Sequence, residues 1–340
     1  MGKKIAWLRP SRNNLILTVI TDPIPIGKYK ITENLKKYIR VVRNVIRNFV
    51  NPLPAYLKSK YRGHPAVTRS IVEGLKKSGF NANYNPKNLE TLSQTVVVVS
   101  GIPALKQMIK LKQQGYIKCL IVGPNMLNDP SDEKGILAAP EIDRYITHAP
   151  VCNLITRFLP ALSLRCREWA SGVDCSHWTP GVWEQRDQIL IYNKQNKGAT
   201  DPIQKYADEL IHRGYKVTVI NYGFYSADEY RNQLQNSLLM IGFSKDESQG
   251  IAWSEAWSCD VPTLIWKNEE PVYLGVKYEG STAPYLTADT GKFFDDLDSF
   301  IELIETWEKH TLTFSPRKWC IENMSDEACA SHLLSILASI

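Results

Sequence analysis

No apolar run in this 340-residue sequence approaches the roughly 20 residues that a membrane-spanning helix requires. The amino terminus passes from Lys3-Lys4 straight into Ile5-Ala6-Trp7-Leu8, an apolar stretch too short for a secretory signal core. Cysteine is sparse: positions 119, 152, 166, 175, 259, 320 and 329, with no Cys-x-x-Cys pair. This scatter argues against a zinc site and for reduced thiols in a cytoplasmic protein. Hydrophobic residues at 44% and charged residues at 22% describe a globular chain, long enough for two domains with separate cores.

Acidic residues are almost missing from one end. Residues 1–62 hold fourteen Lys and Arg against two acids, Asp22 and Glu33, a balance of +12. The rest of the chain then carries −6 to give the net +6. Such asymmetry points to an anionic partner for the basic end. Within it, Asn34–Val50 follows a helical period. Leu35, Ile39, Val42, Ile46 and Phe49 fall on one side, and Lys36, Lys37, Arg40, Arg43 and Arg47 on the other.

The remaining pattern alternates strands and helices. Strands are expected at Ile5–Leu8, Thr95–Val99, Lys118–Val122 and Arg144–Thr147, with helices at Pro65–Ser78, Pro103–Gln114 and Cys152–Trp169. A break at Gly172-Val173-Asp174 and Trp178-Thr179-Pro180 precedes a second series. There, strands at Ile189–Tyr192, Lys216–Asn221 and Leu238–Gly242 alternate with helices at Pro202–Arg213 and Ala227–Gln235. Strands separated by helices at this spacing predict βαβ units and parallel sheets. The fold class is α/β, with two facing Rossmann-like doubly wound domains. Residues 1–180 make the first, 181–320 the second, and 321–340 a closing helix that packs back on the first.

Just after Leu238–Gly242 stand Glu247 and Glu255, separated by Ser248-Gln249-Gly250-Ile251-Ala252-Trp253-Ser254. A helix beginning near Gly250 aims unpaired N–H groups and its positive dipole end at the preceding loop. An anion such as a diphosphate binds there, and glycine permits the close approach. Trp253 and Trp257 share a face, while Glu255 points roughly 200° from Trp253 at 100° per residue, free to meet a sugar diol. The bare spacing fits a solvated glutamate pair equally well. The glycine, the flanking strands, Ala256 and Val261-Pro262 narrow it.

Phe243–Leu264 resembles the donor motif of retaining GT-B glycosyltransferases of the Glu-x7-Glu type. The resemblance implies that Glu247 contacts the transferred sugar and that Glu255 holds the ribose hydroxyls. Gly250 and Ile251, with Ser248 and Gln249 beside them, would meet the diphosphate. Asp260 departs from the family, which has glycine there, yet aspartate tolerates the left-handed conformation that ends helices. Lys194 and Lys197 occupy the loop where the family neutralises the leaving group. Tyr222 and Gly223 end a strand where they would flank the base, and His148 follows a strand where it would touch sugar or acceptor. The implied donor is a UDP- or GDP-sugar, the acceptor a glycan or lipid-linked hydroxyl. No cofactor or metal is expected, since the helix terminus and lysines already counter the diphosphate charge.

Two other functions compete. A nucleotide-sugar epimerase would need acid and base groups around the sugar, and no such set stands out. A nucleic-acid-binding protein would read through residues 1–62, which lack a base-reading motif and hold few stacking aromatics. The basic helix 34–50 either lies on anionic membrane or packs on its domain with a solvated basic face. On the first reading each of its five cations adds about 1 kcal/mol near a charged bilayer. Charge reversal at Arg40, Arg43 and Arg47 should then release the protein from anionic vesicles. Equal sedimentation of parent and reversed protein would leave the helix as packing.

Overall fold

The fold is that of a computed structural model, which describes residues 16–22, 55–86, 89–126, 132–158, 160–195, 203–245, 247–267, 272–273, 276–277 and 281–340. The expected strand Ile5–Leu8, the basic helix 34–50 and Lys197 lie outside the described residues. Among the described residues, no helix is long and apolar enough to cross a membrane.

The chain forms two compact units. One holds the described residues up to Gly172 together with Cys329–Ile340, and the other is Val173–Ala328. The chain passes from the first unit to the second at Gly172–Val173.

The first unit is built on β1 (Ile16–Ile20), β2 (Asn81–Tyr84), β3 (Thr95–Ser100), β4 (Cys119–Asn125), β5 (Arg144–Thr147) and β6 (Cys166–Glu168). All pair in parallel, in the order β2-β1-β3-β4-β5-β6. Val96–Val99 are fully buried, as β-branched residues on a strand covered on both faces should be. Helices α1 (Gly63–Lys77), α2 (Ile102–Gln113) and α3 (Ala149–Phe158) supply the covering layers. Leu105 and Met108 pack with Val96, Val98, Leu120 and Val122 in one core.

Cys152–Trp169 is not one helix. The helix spans Ala149–Phe158, and Cys166–Glu168 forms the edge strand β6, in register with Tyr145–Thr147. Pro160 removes a donor from any continuing helix. The Arg165 guanidinium then fastens the return by donating to the carbonyls of Ala138, Ala139 and Ile142 at 3.0, 2.7 and 2.9 Å. The chain's first described strand, Ile16–Ile20, was also not among those expected.

The second unit carries β7 (Gln188–Asn193), β8 (Lys216–Asn221), β9 (Ser237–Phe243) and β10 (Thr263–Trp266). A small antiparallel ribbon, β11 (Val272–Tyr273) with β12 (Val276–Lys277), precedes β13 (Gly291–Phe294). The main sheet is parallel, in the order β13-β10-β9-β7-β8. Its helices are α4 (Gln204–His212), α5 (Ala227–Gln235), α6 (Ile251–Ser258), α7 (Leu297–Glu308) and α8 (Pro316–Met324). A last helix, α9 (Asp326–Ala338), belongs to the first unit from Cys329 onward. Tyr206 anchors the core, its ring 5.1, 5.4 and 5.1 Å from those of Phe243, Phe294 and Phe300. Such pairs contribute about 0.5–1.5 kcal/mol each beyond their area burial.

Helix α6 ends in a Schellman turn. The N–H of Val261 donates to Ala256 O and that of Asp260 to Trp257 O, both at 3.0 Å. Asp260 takes the left-handed position with φ 60°. Its Oδ1 accepts the backbone N–H of Arg317, in the first turn of α8, at 3.2 Å. Glycine would relieve the backbone and forfeit this bond. Asp260→Ala should therefore cost about 1–3 kcal/mol, through left-handed strain and the lost acceptor. Asp260→Gly should cost less, because only the acceptor goes. Urea unfolding of both variants checks this, and equal losses would show that the φ angle carries no penalty.

Candidate functional site

In the second sheet the chain leaves β7 toward β8 on one side and returns to β9 on the other. The loops after β7 and β9 thus diverge, and parallel sheets bind ligands at the mouth of such a switch point. Lys194 follows β7, with its N–H held by Phe243 O at 2.8 Å. Ser244 and Glu247 follow β9. Lys194 Nζ lies 2.7 and 2.8 Å from the two Glu247 carboxylate oxygens, and Ser244 Oγ donates to Oε1 at 2.9 Å. The Glu247 side chain is 9% exposed and that of Lys194 32%. The Glu247 N–H is fixed to Ser281 O at 3.1 Å. A lysine–glutamate pair thus bridges the switch point.

Gly250 opens α6 in the left-handed conformation, φ 77° and ψ 55°. A Cβ there would stand 2.2 Å from Trp253 Cδ1, so both conformation and space require glycine. Trp253 is held in turn by its indole N–H, which donates to Thr282 O at 2.8 Å. Gly250, at the N-cap position, has no side chain to cap the amino end of α6. Gln249 is buried, Ser248 exposed and Ile251 half-buried.

Glu255 is 6% exposed and lies close to a tyrosine cluster. The Tyr192 ring is 5.3 Å from that of Trp253 and 5.4 Å from that of Tyr230, and its hydroxyl meets the Tyr225 hydroxyl at 2.6 Å. Burial pushes the Tyr192 phenol well up, helped by Tyr225 and by the negative charges of Glu255 and Glu247. Tyr230 is raised by the same cause, burial first, with Tyr192 and Glu255 adding to it. Its hydroxyl donates to Ala252 O at 2.8 Å. These phenols stay protonated, Tyr230 donating to the α6 backbone and Tyr192 sharing a hydrogen bond with Tyr225.

Tyr222 continues from β8, its N–H on Asn193 O at 2.8 Å, and is 56% exposed. The Lys194 ammonium lies 5.0 Å from the centre of its ring, a cation–π contact. Gly223 turns the chain with φ 86°. Lys194, Tyr222, Gly223, Glu247, Ser248, Gln249, Gly250, Ile251 and Glu255 all belong to this unit.

No protein-family model matches the sequence, and no curated protein matches it either. Solved structures do match. Sucrose-phosphate synthase from Thermosynechococcus elongatus aligns over 95% of this chain and 98% of its own, with a TM-score of 0.53 and 10% identity. Anabaena HepE in complex with UDP aligns over 96% and 100%, with a TM-score of 0.53 and 11% identity. The apo form of WaaB, a lipopolysaccharide outer core galactosyltransferase, aligns over 96% and 99%, at 0.51 and 12%. The fold is GT-B. At these identities the likeness is one of fold.

His148 belongs to the other GT-B unit, at the carboxyl end of β5. It is buried, with Nδ1 3.2 Å from Trp169 O. Burial lowers its pKa to about 4, only partly offset by that carbonyl, so the imidazole is neutral at neutral pH. Two residues in these places escaped the sequence reading. Ser244 stands three residues before Glu247, a spacing typical of reciprocal side-chain and backbone bonding. Asp22 follows β1, and its Cγ would lie 2.3 Å from a Cβ placed on Gly101, which follows β3. These strands flank the switch point of the first sheet. Recognising Ile16–Ile20 as a strand would have exposed Asp22.

The Lys194–Glu247 pair is measurable as a coupling. In a double-mutant cycle of Lys194→Met and Glu247→Gln, urea unfolding should give about 1 kcal/mol, a figure discounted for the partly exposed lysine. A coupling below roughly 0.3 kcal/mol, the usual limit of additivity, would make the pair a solvated contact.

Proposed function

We propose that the chain is a retaining glycosyltransferase that moves a sugar from a nucleoside-diphosphate sugar to an acceptor hydroxyl. The observation that carries this reading is the Lys194–Glu247 pair at the β7/β9 switch point, in the loop that leads into the glycine-started helix α6. The diphosphate sits on the N–H groups near Gly250 and Ile251, where backbone and dipole favour an anion. Lys194 is then shared between the phosphate and Glu247, countering charge as the leaving group departs. Glu247 holds hydroxyls of the transferred sugar. Glu255 accepts from the ribose diol, and Tyr222 with Gly223 flanks the base. His148 serves the sugar or acceptor as a neutral hydrogen-bonding group. Lys194 and the helix terminus do the work that a divalent metal does elsewhere, so transfer proceeds without added metal or cofactor.

UDP-sugars are the first donors to test, because HepE was solved with UDP; GDP-sugars come next. The acceptor class is a glycan or lipid-linked hydroxyl, with residues 34–50 offering a peripheral contact to anionic membrane. In a thermal-shift screen, a nucleotide at 100 times its Kd should stabilise the fold by about 2.7 kcal/mol. Glu255→Ala should weaken that binding about ten- to a hundredfold, the loss of one charge-assisted hydrogen bond. Glu247→Ala should mainly lower turnover in a transfer assay run with chelator present. Unchanged nucleotide affinity in Glu255→Ala would remove the ribose role, and transfer abolished by chelator would remove the metal-free step.

A further inference from the structure

Cys152 and Cys166 take no part in the transfer chemistry, and they lie against each other. Their sulfurs are 3.1 Å apart, in contact as donor and acceptor. Cys152 sits in the first turn of α3 and Cys166 opens β6, and both are buried, at 8% and 4% exposure. Each position is fixed by backbone bonding. The Cys152 N–H donates to His148 O at 2.8 Å, and Cys166 stands opposite Tyr145 in the β5–β6 register. Fourteen residues of sequence separate the two thiols, so only the sheet and helix bring them together.

We propose that Cys152 and Cys166 form a reversible dithiol–disulfide site, oxidised by a small hydroperoxide, which pins the edge strand β6 to α3. The two thiols have unequal roles. The hydrogen-bonding contact with the Cys166 sulfur lowers the Cys152 thiol pKa, and the place of Cys152 in the first turn of α3 sets it at the positive end of the helix dipole, which favours the thiolate. Cys166 itself is pushed up, first by that hydrogen bond and then by burial. Cys152 is therefore the nucleophile and Cys166 the resolving thiol.

The Cys152 thiolate attacks the hydroperoxide, forming an S–O bond as the O–O bond breaks. The departing oxyanion takes a proton and leaves as alcohol, or as water when the oxidant is hydrogen peroxide. The Cys166 sulfur then attacks the sulfenic sulfur, the S–S bond forms, and hydroxide leaves with the Cys166 proton as water. Two electrons pass from the two thiols to the peroxide, and an external dithiol reverses the change.

The site brackets His148. Its carbonyl holds Cys152, while its ring meets Trp169 O, three residues beyond Cys166. β6 has a single neighbour in the sheet and three paired residues, so it is the strand most readily parted from the unit. Oxidation ties it down.

The test uses the full chain, reduced, exposed to hydrogen peroxide, alkylated and digested with trypsin without reductant. Mass spectrometry should find Tyr145–Arg157 joined to Cys166-Arg167, and dithiothreitol should separate them. The melting temperature of the oxidised protein should rise by roughly 5–10 °C, as expected for closing a loop of about 15 residues. In Cys166→Ser, dimedone should label Cys152. Cross-linking of other cysteines instead, full alkylation of both thiols, or overoxidation of Cys152 with Cys166 left free would overturn the proposal. Should the variant fail to fold, the parent digest decides alone. None of these readouts involves nucleotide, so this result stands or falls apart from the donor reading.

Discussion

Two guanidinium groups, Arg186 buried and Arg317 half-buried, hold the carboxyl end of α6, and the geometry of the candidate site depends on them. Arg186 Nη2 donates to Cys259 O and Nη1 to Asp260 O, both at 2.8 Å. Arg317 Nη1 donates to Ser258 O. Ser258 and Cys259 carry carbonyls that a helix leaves without partners at its end, Asp260 O follows just beyond, and at 7% exposure of Arg186 water is a poor substitute. Two cations at the negative pole of the dipole also stabilise the helix electrostatically. A helix of eight residues is too short to be stable on its own propensity, so these bonds at its carboxyl end help to hold it at the sheet's edge.

The sheet decides where the amino end of α6 points. All five strands run parallel, so every strand-to-helix loop leaves from the same edge. Only at the β7/β9 boundary do neighbouring loops turn away from each other, and there the chain places its lysine–glutamate pair. Two other charged residues near the sheet's loops have structural partners. Asp296, following β13, accepts the Ser299 N–H at 2.9 Å and caps α7. Arg213, after α4, pairs with Glu209, Glu305 and Glu308. Charge alone does not mark the site; position relative to the strand order does.

Much of this was legible because the informative residues act locally. Helices closed by Gly79, Gly115 and Gly214 end where glycine with positive φ follows them. Lys216–Asn221 and Ala227–Gln235 coincide with the expected elements, the latter through its Ser226–Glu229 capping box. The Glu247–Gly250–Glu255 spacing pointed to a loop running into a helix that carries the second acid, and α6 does begin after Gly250; the left-handed φ of Gly250 and the burial of Glu255 come from the structure alone. What stayed hidden is non-local. A three-residue edge strand such as Cys166–Glu168 has no period to detect. The salt bridge from Lys194 to Glu247 spans 53 positions and exists only because β7 and β9 are neighbours. Cysteines that look scattered in sequence turn out to touch, since pairing is a property of the sheet and not of spacing.

Asp260 ends one helix with its backbone and begins another with its carboxylate. The left-handed φ closes α6, and Oδ1 takes the first-turn N–H of α8. Arg317, on α8, reaches back to Ser258 O, and the rings of Trp257 and Trp319 meet edge to face at 5.5 Å. The two helices are therefore geared together. A tilt of α6 on capturing an anion at its amino end would be resisted at the other by three separate contacts, unless α8 turned with it. Glycine at 260 would remove one tooth from that gear, leaving a helix that closes equally well but transmits its motion less faithfully.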